Sequence, residues 1–292
     1  MAMTHILRVL APNPGPFTLE GTNTWIVGRG PSVIIDPGPR DGGHVRSVIN
    51  EAVGVEAILL THHHPDHAEA AAQLAGATGA SVRAFHPQQG ERGLRAGDFI
   101  QVGPMRLRVL HTPGHSADHL AYYLEGDESL FTGDAVLGRG TSAVDPPDGD
   151  MSAYVHSLHA MRNLAPRVIY PGHGPVVFDA PVKLNEYIAH RTRRESQVLA
   201  ALAGGAATAE EMVPIVYAGE GLHPSMVPVA ARSVLAHLLK LEKEGKAART
   251  GHAAEGRFVA VAQKPCERCG RPAGAGSRFC RQCGMAVLQE GP

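Results

Sequence analysis

The stretch LLTHHHPDHAEAAAQLAG, residues 59–76, holds the side chains of this sequence that are best suited to chemistry. Four histidines and one aspartate lie within six positions, directly after an apolar run. His62 and His64 are two residues apart, so in a tightly turned segment their imidazoles can converge on one metal ion. Asp66 and His67 follow at a strand-to-helix junction and can turn toward a second ion. Neither pair fills a coordination shell, so the pattern predicts further ligands elsewhere in the chain.

Further ligand-type residues lie in Gly-containing turns that follow apolar strands, where the backbone can bend sharply and aim a side chain. They are His115 in VLHTPGHSADH, Asp134 in LFTGDAV and His173 in VIYPGHGP. The ligands then divide into two triplets bridged by Asp134, namely His62, His64 and His115, and Asp66, His67 and His173. Imidazole-rich shells with few carboxylates favour zinc, with manganese or iron as substitutes. Two such ions about 3.5–4 Å apart would hold a bridging hydroxide as nucleophile.

Three neighbouring residues have more specific predicted roles. Asp66 is the predicted catalytic residue, because a carboxylate at the second ion can also carry a proton of the attacking water. His63 is predicted to point away from the ions as a packing or supporting residue. Asp36, at the end of SVIIDPG, either orients His62 or His67 or simply begins a turn.

The elements that must position these groups are short. Up to about residue 178, the runs TWIVG, SVIID, VEAILLT, SVRAF, MRLRVLHT, LAYYL and RVIYPG predict strands. The segments HAEAAAQLAGATG and MSAYVHSLHAMRNL predict helices. Strands mixed with helices on this scale predict an α/β domain over residues 1–178, with its sheets covered by helices.

Residues 179–263 have a different texture. Three helical segments, VKLNEYIAHRTRRESQVLAALAG, AEEMVPIVYA and VAARSVLAHLLKLEKEGKAAR, precede a predicted hairpin, ARTGHAAEGRFVAVA. This order is typical of a winged helix-turn-helix domain. Nucleic-acid contact and a role as lid or dimerisation element both remain open, so a homodimer is allowed.

The last segment, residues 264–292, contains CERCGRPAGAGSRFCRQCG, with two Cys-x-x-Cys pairs separated by ten residues. Two such pairs can complete a closed tetrahedral thiolate site, which predicts a small zinc ribbon with one structural zinc. Its ligands would be the four cysteines of the chain, Cys266, Cys269, Cys280 and Cys283.

Composition sets outer limits. The chain has 292 residues, 17 histidines and a formal net charge of −1, which argues against a protein that binds nucleic acid over its whole surface. The N-terminus does not resemble a signal peptide, and no apolar run predicts a membrane span. The expectation is a cytoplasmic protein without a membrane partner.

The motifs THHHPDH, HTPGHS, FTGD and PGHG, in this order, resemble those of the metallo-β-lactamase superfamily. The resemblance implies an αββα sandwich with a binuclear metal site at one edge. NPGPFTLEGTNTWIVG, GRGTSAVDP and YIAHRTRRESQVLAAL look more narrowly like the beta-lactamase-like protein 2 group, in which a winged helix follows the lactamase-type domain. That group includes endoribonucleases that cut single-stranded RNA, and related hydrolases act on thioesters. The zinc ribbon is an addition to the group's pattern.

Three functions follow, in order of preference. The first is a binuclear metal-dependent hydrolase that cleaves phosphodiesters of single-stranded RNA. The alternative is a thioesterase or another hydrolase of small acyl esters, similar to glyoxalase II. A nucleic-acid-binding regulator without activity is disfavoured because every ligand position is filled. Specificity depends on cleft shape, which the motifs do not report.

Overall fold

A computed structural model describes residues 5–86, 92–250 and 256–261. The chain divides into two compact units. The first comprises residues 1–143 and 148–189, and the second comprises residues 144–147 and 190–292. The predicted boundary at residue 178 precedes helix α5 (Ala180–Ala203), whereas the units divide within this helix, after Ala189. A continuous helix can contribute its two halves to two different cores, and a change in sequence texture does not reveal this.

The first unit contains two five-stranded sheets. The strands of the first sheet are β1 (Ile6–Leu10), β2 (Asn23–Val27), β3 (Ser32–Ile35), β4 (Val55–Leu59) and β5 (Ser81–Arg83). They lie in the order β1-β2-β3-β4-β5, in which β3, β4 and β5 are parallel and the other neighbours antiparallel. Every residue of β2 and β3 is buried, because both faces of this sheet are covered.

The strands of the second sheet are β6 (Phe99–Val102), β7 (Met105–His111), β8 (Leu120–Leu124), β9 (Ser129–Gly133) and β10 (Val168–Pro171). They lie in the order β10-β9-β8-β7-β6, antiparallel except for the parallel pair β9 and β10. Side chains of the two sheets, among them Trp25, Leu59, Val109 and Phe131, form one buried cluster. The two sheets therefore pack face to face, as in a sandwich.

Helices α1 (Gly42–Glu51) and α3 (Ala71–Thr78) cover the other face of the first sheet, where Val48 and Leu74 join a second apolar cluster. The helix predicted after the histidine motif is interrupted. A short helix α2 (Pro65–Ala68) comes first, and the N–H of Ala70 then donates to the carbonyl of Gly38, outside the helix. Helix α4 (Met151–Asn163) connects β9 to β10, and the carboxylate of Asp150 caps its N-terminus.

The second unit has its own core. The C-terminal half of α5, α6 (Ala209–Val216) and α7 (Val227–Lys243) pack together, and strands β11 (Ala247–Thr250) and β12 (Arg257–Ala260) pair antiparallel. A capping box formed by Thr208 and Glu211 begins α6. Three helices followed by a two-stranded hairpin confirm the predicted winged-helix order. The predicted zinc ribbon, with Cys266, Cys269, Cys280 and Cys283, lies outside the described residues.

Among the described residues, no helix combines the length and the apolarity that crossing a membrane requires.

Candidate metal centre

All seven predicted ligand residues converge at one edge of the first unit. Each follows the end of a strand, and the two sheets are joined there by backbone hydrogen bonds, such as Leu120 N to Thr61 O and Asn23 N to Gly172 O. Because β4, β9 and β10 all end at this edge, residues more than 100 positions apart become neighbours. The candidate ligands are His62, His64, Asp66, His67, His115, Asp134 and His173.

The first group consists of three imidazoles. Nδ1 of His64 lies 3.0 Å from Nε2 of His62 and 3.1 Å from Nε2 of His115. A tetrahedral zinc site with Zn–N bonds of about 2.0–2.1 Å places its ligand nitrogens about 3.3 Å apart, so this spacing fits one ion.

The second group combines two imidazoles with a carboxylate. Nε2 of His67 and Nε2 of His173 are 3.2 Å apart. Oδ2 of Asp66 lies 3.3 Å from Nε2 of His173 and 3.6 Å from Nε2 of His67. This mixture of nitrogen and oxygen donors suits zinc, manganese or iron.

Asp134 lies between the two groups. Its Oδ2 is 3.7 Å from Nε2 of His115, in the first group. Its Oδ1 is 3.3 Å from Nε2 of His173 and 3.4 Å from Nε2 of His67, in the second. Oδ1 is buried and makes no well-formed hydrogen bond within the described part of the chain. A buried carboxylate oxygen without such a partner is costly, and a cation at either position would offset that cost.

Hydrogen bonds at Nδ1 orient the rings of His115 and His173 so that Nε2 of each faces the candidate metal centre. The Nδ1–H of His115 donates to the carbonyl of Ala143 at 2.9 Å, and that of His173 to the carbonyl of Gly21 at 3.2 Å. Since Nδ1 of each ring faces a carbonyl, Nε2 is the nitrogen that faces the centre and can bind a metal.

Asp36 organises one imidazole in each group. Its Oδ2 lies 2.9 Å from Nδ1 of His67 and accepts a hydrogen bond of 2.8 Å from Oγ of Thr61. Because the Thr61 hydroxyl donates to Asp36, it must accept from Nδ1 of His62, 2.9 Å away. Asp36 itself adopts φ 53°, a left-handed conformation that is uncommon for a non-glycine residue and is held here by the surrounding hydrogen bonds. These contacts favour the interpretation in which Asp36 orients His62 and His67 over the one in which it only begins a turn.

The second group is strongly coupled in charge. Burial disfavours a charge on His67, but the carboxylates of Asp134 and Asp36 outweigh it and raise the His67 pKa well above its usual range. Burial opposes the charge of His173 too, yet Asp134 and Asp66 raise the pKa of His173 to about 9. Burial favours a neutral Asp134, but His67 and His173 lower its pKa well below the usual range. In the metal-free protein, the protonated imidazoles of His67 and His173 thus balance the negative charge of these carboxylates.

The first group is electrically different. Burial, followed by the neighbouring imidazole of His67, lowers the pKa of His62 well below its usual range. Burial and the adjacent His115 also lower the pKa of His64. Neutral imidazoles are the form that binds metals, so these two rings are prepared for an ion without losing protons.

His119 is a supporting residue whose role the sequence analysis left unassigned. Its ring is fully buried, stacks on His62 at 5.1 Å, and accepts a hydrogen bond from the N–H of Asp134 at 3.2 Å. Its Nδ1–H therefore donates to Oγ of Thr112, 2.9 Å away. Burial, with the charge of His115, lowers the pKa of His119 to about 3. The HTPGHSADH motif contains it, but nothing in the spacing reveals this contact.

His63 belongs to neither of these groups, although it forms a further cluster with His64 and Asp148, whose ligand atoms lie within 4.8 Å of one another. Its Nδ1 lies 3.0 Å from Oδ1 of the buried Asp118, which also accepts from the hydroxyl of Ser116 at 2.8 Å. These residues stabilise the loop beside the centre.

At Gly133 and Gly172 there is no room for a side chain. A Cβ on Gly172 would lie 2.7 Å from both Oδ1 of Asp134 and Cε1 of His67, and one on Gly133 would lie 2.4 Å from Oγ of Thr61. The glycines before Asp134 and His173 therefore allow the close approach of backbone and ligands, in addition to the turn that was predicted for them.

Comparison with known proteins agrees with this arrangement. Residues 17–173 match the metallo-beta-lactamase superfamily. The chain belongs to this superfamily. Residues 208–257 match the beta-lactamase associated winged helix domain. The predicted fold class, a metallo-β-lactamase α/β domain followed by a winged helix, is thereby confirmed.

The relatives are similar over much of their length. An atrochrysone carboxyl ACP thioesterase from Aspergillus chevalieri is 38% identical over 229 residues, which cover 73% of each chain. The lactamase-like protein adaB from Aspergillus niger is 34% identical over 279 residues, 88% of this chain and 86% of that protein. Among solved structures, the metallo-beta-lactamase family protein TTHA1429 from Thermus thermophilus is 26% identical, with a TM-score of 0.71 over 88% of this chain and 98% of its own. A beta-lactamase domain protein from Burkholderia ambifaria, 24% identical, shares the fold with a TM-score of 0.73 over 88% of this chain and 91% of its own.

The protein is thus an enzyme of a hydrolase superfamily with a donor set that could hold metal ions. These relatives favour the predicted alternative, thioester hydrolysis, over RNA cleavage.

Proposed function

We propose that this protein is a metal-dependent hydrolase of acyl thioesters. The observation that carries the proposal is the likeness to a thioesterase, at 38% identity over 73% of both chains. Within this chain, two complete groups of ligand atoms support hydrolysis, because each group's members lie within 4.8 Å of one another.

The residues present fit two ions. His62, His64 and His115 would hold one, the second group would hold the other, and Asp134 would face both. Bound there, zinc, manganese or iron would supply Lewis acidity and lower the pKa of a bound water.

Asp66 is the residue we assign to proton transfer. Burial favours its neutral form, but the hydrogen bond from His173 and the charge of His67 lower its pKa overall, so the carboxylate is ionised at neutral pH. Its side chain remains 30% exposed, which leaves it accessible to substrate and water. In hydrolysis a C–O bond forms, the C–S bond breaks, and one proton of water must reach the thiolate. Oδ2 of Asp66 would accept that proton and return it to the sulfur.

Two arginines of α5, Arg191 and Arg194, have environments that do not suit a polyanionic substrate such as RNA. Arg194 donates to both carboxylate oxygens of Glu220 and to the carbonyl of Val216, and its guanidinium lies over the ring of Tyr217. Arg191 is only 4% exposed. Neither side chain forms a basic surface of the kind that binds RNA phosphates.

The test is hydrolysis of acyl thioesters of N-acetylcysteamine, with chains of increasing length, by protein loaded with zinc, manganese or iron. Thiol release is followed, and end-labelled single-stranded RNA is incubated in parallel. We expect thioester cleavage that Asp66→Asn lowers about 10²–10⁴-fold, the usual contribution of a general acid or base.

The matched control is Asp118→Asn, which changes a carboxylate near the motif that lies outside both groups. RNA cleavage that disappears in Asp66→Asn, without any thioester cleavage, would overturn the proposal and establish the endoribonuclease.

We also propose that Cys266, Cys269, Cys280 and Cys283 bind one structural zinc. The pattern of two Cys-x-x-Cys pairs supports this. Replacing all four by serine should lower the zinc content by one ion per chain while retaining the ions of the Asp and His groups. An unchanged zinc content would refute it.

A further inference from the structure

The segment that follows strand β9 supports the first ligand group from two points. At one point, the carbonyl of Ala143 accepts from Nδ1–H of His115 at 2.9 Å, and Oγ of Ser142 lies 3.3 Å from the same nitrogen. At the other, Oδ1 of Asp148 accepts from the N–H of Ala117, in the loop that carries His115, at 3.1 Å. Oδ2 of Asp148 also lies 3.8 Å from Nε2 of His64. This segment therefore fixes the ring and the loop of His115 and faces the ring of His64.

The four residues between these points belong to a different compact unit. Residues 144–147 group with the winged helix, although residues 143 and 148 on either side belong to the first unit. Val144 is fully buried. Within the second unit, Arg232 of α7 donates from Nε to Oδ1 of Asp145 at 2.5 Å and from its terminal nitrogen to the carbonyl of Pro146. One guanidinium thus holds both a side chain and the backbone of this short segment.

We infer that Arg232 is a positioning residue for the metal centre, which it influences through residues 144–147. Asp145 lies two residues from the support at Ala143 and three from the support at Asp148, and consecutive Cα atoms lie about 3.8 Å apart, so a shift at Asp145 acts on both supports over a short span of chain. Ligand constellations must be held to within roughly 0.5 Å and 10–20°. The inference rests on the proposed metal centre.

A simple surface ion pair would behave differently. Exposed pairs contribute little and hold nothing else in place. The side chain of Arg232 is only 34% exposed. Its guanidinium bonds both the carboxylate of Asp145 and the carbonyl of Pro146, which fixes the orientation of this segment as well as its distance from α7. Arg257 supplies the comparison, because it forms an exposed pair with Glu211 at 3.2 Å in the same unit.

The experiment uses the full chain loaded with cobalt(II) in place of zinc. Two quantities are measured in wild type, Arg232→Ala, Arg232→Lys, Asp145→Asn and Arg257→Ala. One is the rate of ion release to a chelator. The other is the hydrogen-exchange rate of the paramagnetically shifted imidazole N–H protons of the ligands, which cysteine ligands cannot contribute.

In Arg232→Ala we expect ion release about three- to tenfold faster than in wild type. This effect is smaller than the roughly 10–100-fold loss of metal affinity that follows mutation of a residue hydrogen-bonded directly to a metal ligand. One ligand imidazole N–H should also exchange faster. Asp145→Asn should also make release and exchange faster. Arg232→Lys, which keeps the positive charge, should show a smaller change than Arg232→Ala, and Arg257→Ala should match wild type. Release and exchange at the wild-type rate in folded Arg232→Ala would overturn the inference, as would an equal change in Arg257→Ala. Wild-type protein without ligand-imidazole signals would overturn the proposed metal centre and this inference together.

Discussion

The two ligand groups each take two members from one short motif, yet they differ in charge. The first contains three imidazoles, and the pKa values of His62 and His64 are lowered, chiefly by burial. The second contains Asp66 beside His67 and His173, two imidazoles whose pKa values nearby carboxylates raise against the effect of burial. The rings of His62 and His64 are therefore neutral and ready to bind an ion. The second group combines a carboxylate with imidazoles that take up protons where an ion would sit.

This contrast shows that a metal centre can be prepared in two ways. Neutral rings such as those of His62, which Thr61 holds, and His64 lose no protons when an ion binds. Carboxylate-flanked rings must release theirs, so binding at the second group should depend more strongly on pH. Asp134 faces both groups, and Asp36 orients a ring in each, so these two residues couple the halves.

The largest effect is expected for Asp134→Asn, which keeps the size of the side chain and removes the charge shared by both groups. We expect turnover to fall by about 10³-fold or more, because charge stabilisation at both ions is weakened. Ion content at the centre should fall below two per chain. Metal content measured by mass spectrometry, together with turnover, checks this. Two retained ions with normal turnover would show that Asp134 contributes neither to metal binding nor to turnover.

A smaller effect is expected for Asp36→Asn. Outer partners of metal ligands typically contribute about 10–100-fold to metal affinity, and Asp36 supports His67 directly and His62 through Thr61. Ion affinity should therefore fall at both positions. Calorimetric titration of the metal-free variant measures each step. A loss confined to one step would show that the two groups are supported independently.

Much of this site could be predicted from the sequence, because ligand-type residues followed strand ends in a recognisable order. His62, His115 and His173 needed no knowledge of the sheet. The orienting contacts were less accessible. Thr61 adjoins His62, but it acts only because Asp36, 25 residues earlier, lies on the neighbouring strand end. Such contacts depend on strand order, which local pattern does not contain.

The fold shows the same division. The strongly apolar strands β3 and β4 were predicted, whereas the edge strand β1 and helix α1 were not. Helix α1 begins with Gly42 and Gly43 and buries only His44, Val45 and Val48, so its pattern is weak. The cap from Asp41 and packing on the first sheet stabilise it. Tertiary contacts, more than local propensity, decide such elements.

The contrast between the groups also predicts how the stability of the metal-free protein depends on pH. The raised pKa of His173, about 9, gives stability that is complete below the unfolded value of 6.5 and lost as pH rises toward 9. The lowered pKa of His119, about 3, gives stability that is complete above 6.5 and lost as pH falls toward 3. Stability should therefore peak near pH 6.5.

Metal should remove the alkaline loss, because the ion replaces the protons of the second group. Urea unfolding of metal-free and zinc-loaded protein between pH 5 and 9 measures both limbs. His173→Gln should reduce the alkaline limb of the metal-free protein and leave the acid limb. An alkaline limb that persists unchanged in this variant would contradict the assignment of that charge to His173.

The smallest effect is expected for His63→Ala, the histidine of the motif that belongs to neither group. Its ring is more than half exposed, at 56%, and contacts Asp118, which keeps its hydrogen bond from Ser116. We expect a change in unfolding free energy within about 0.5 kcal/mol, as for other surface substitutions, and an unchanged ion content. Metal analysis and urea unfolding decide this. Loss of an ion would extend the first group to His63 and remove the distinction between ligands and their neighbour.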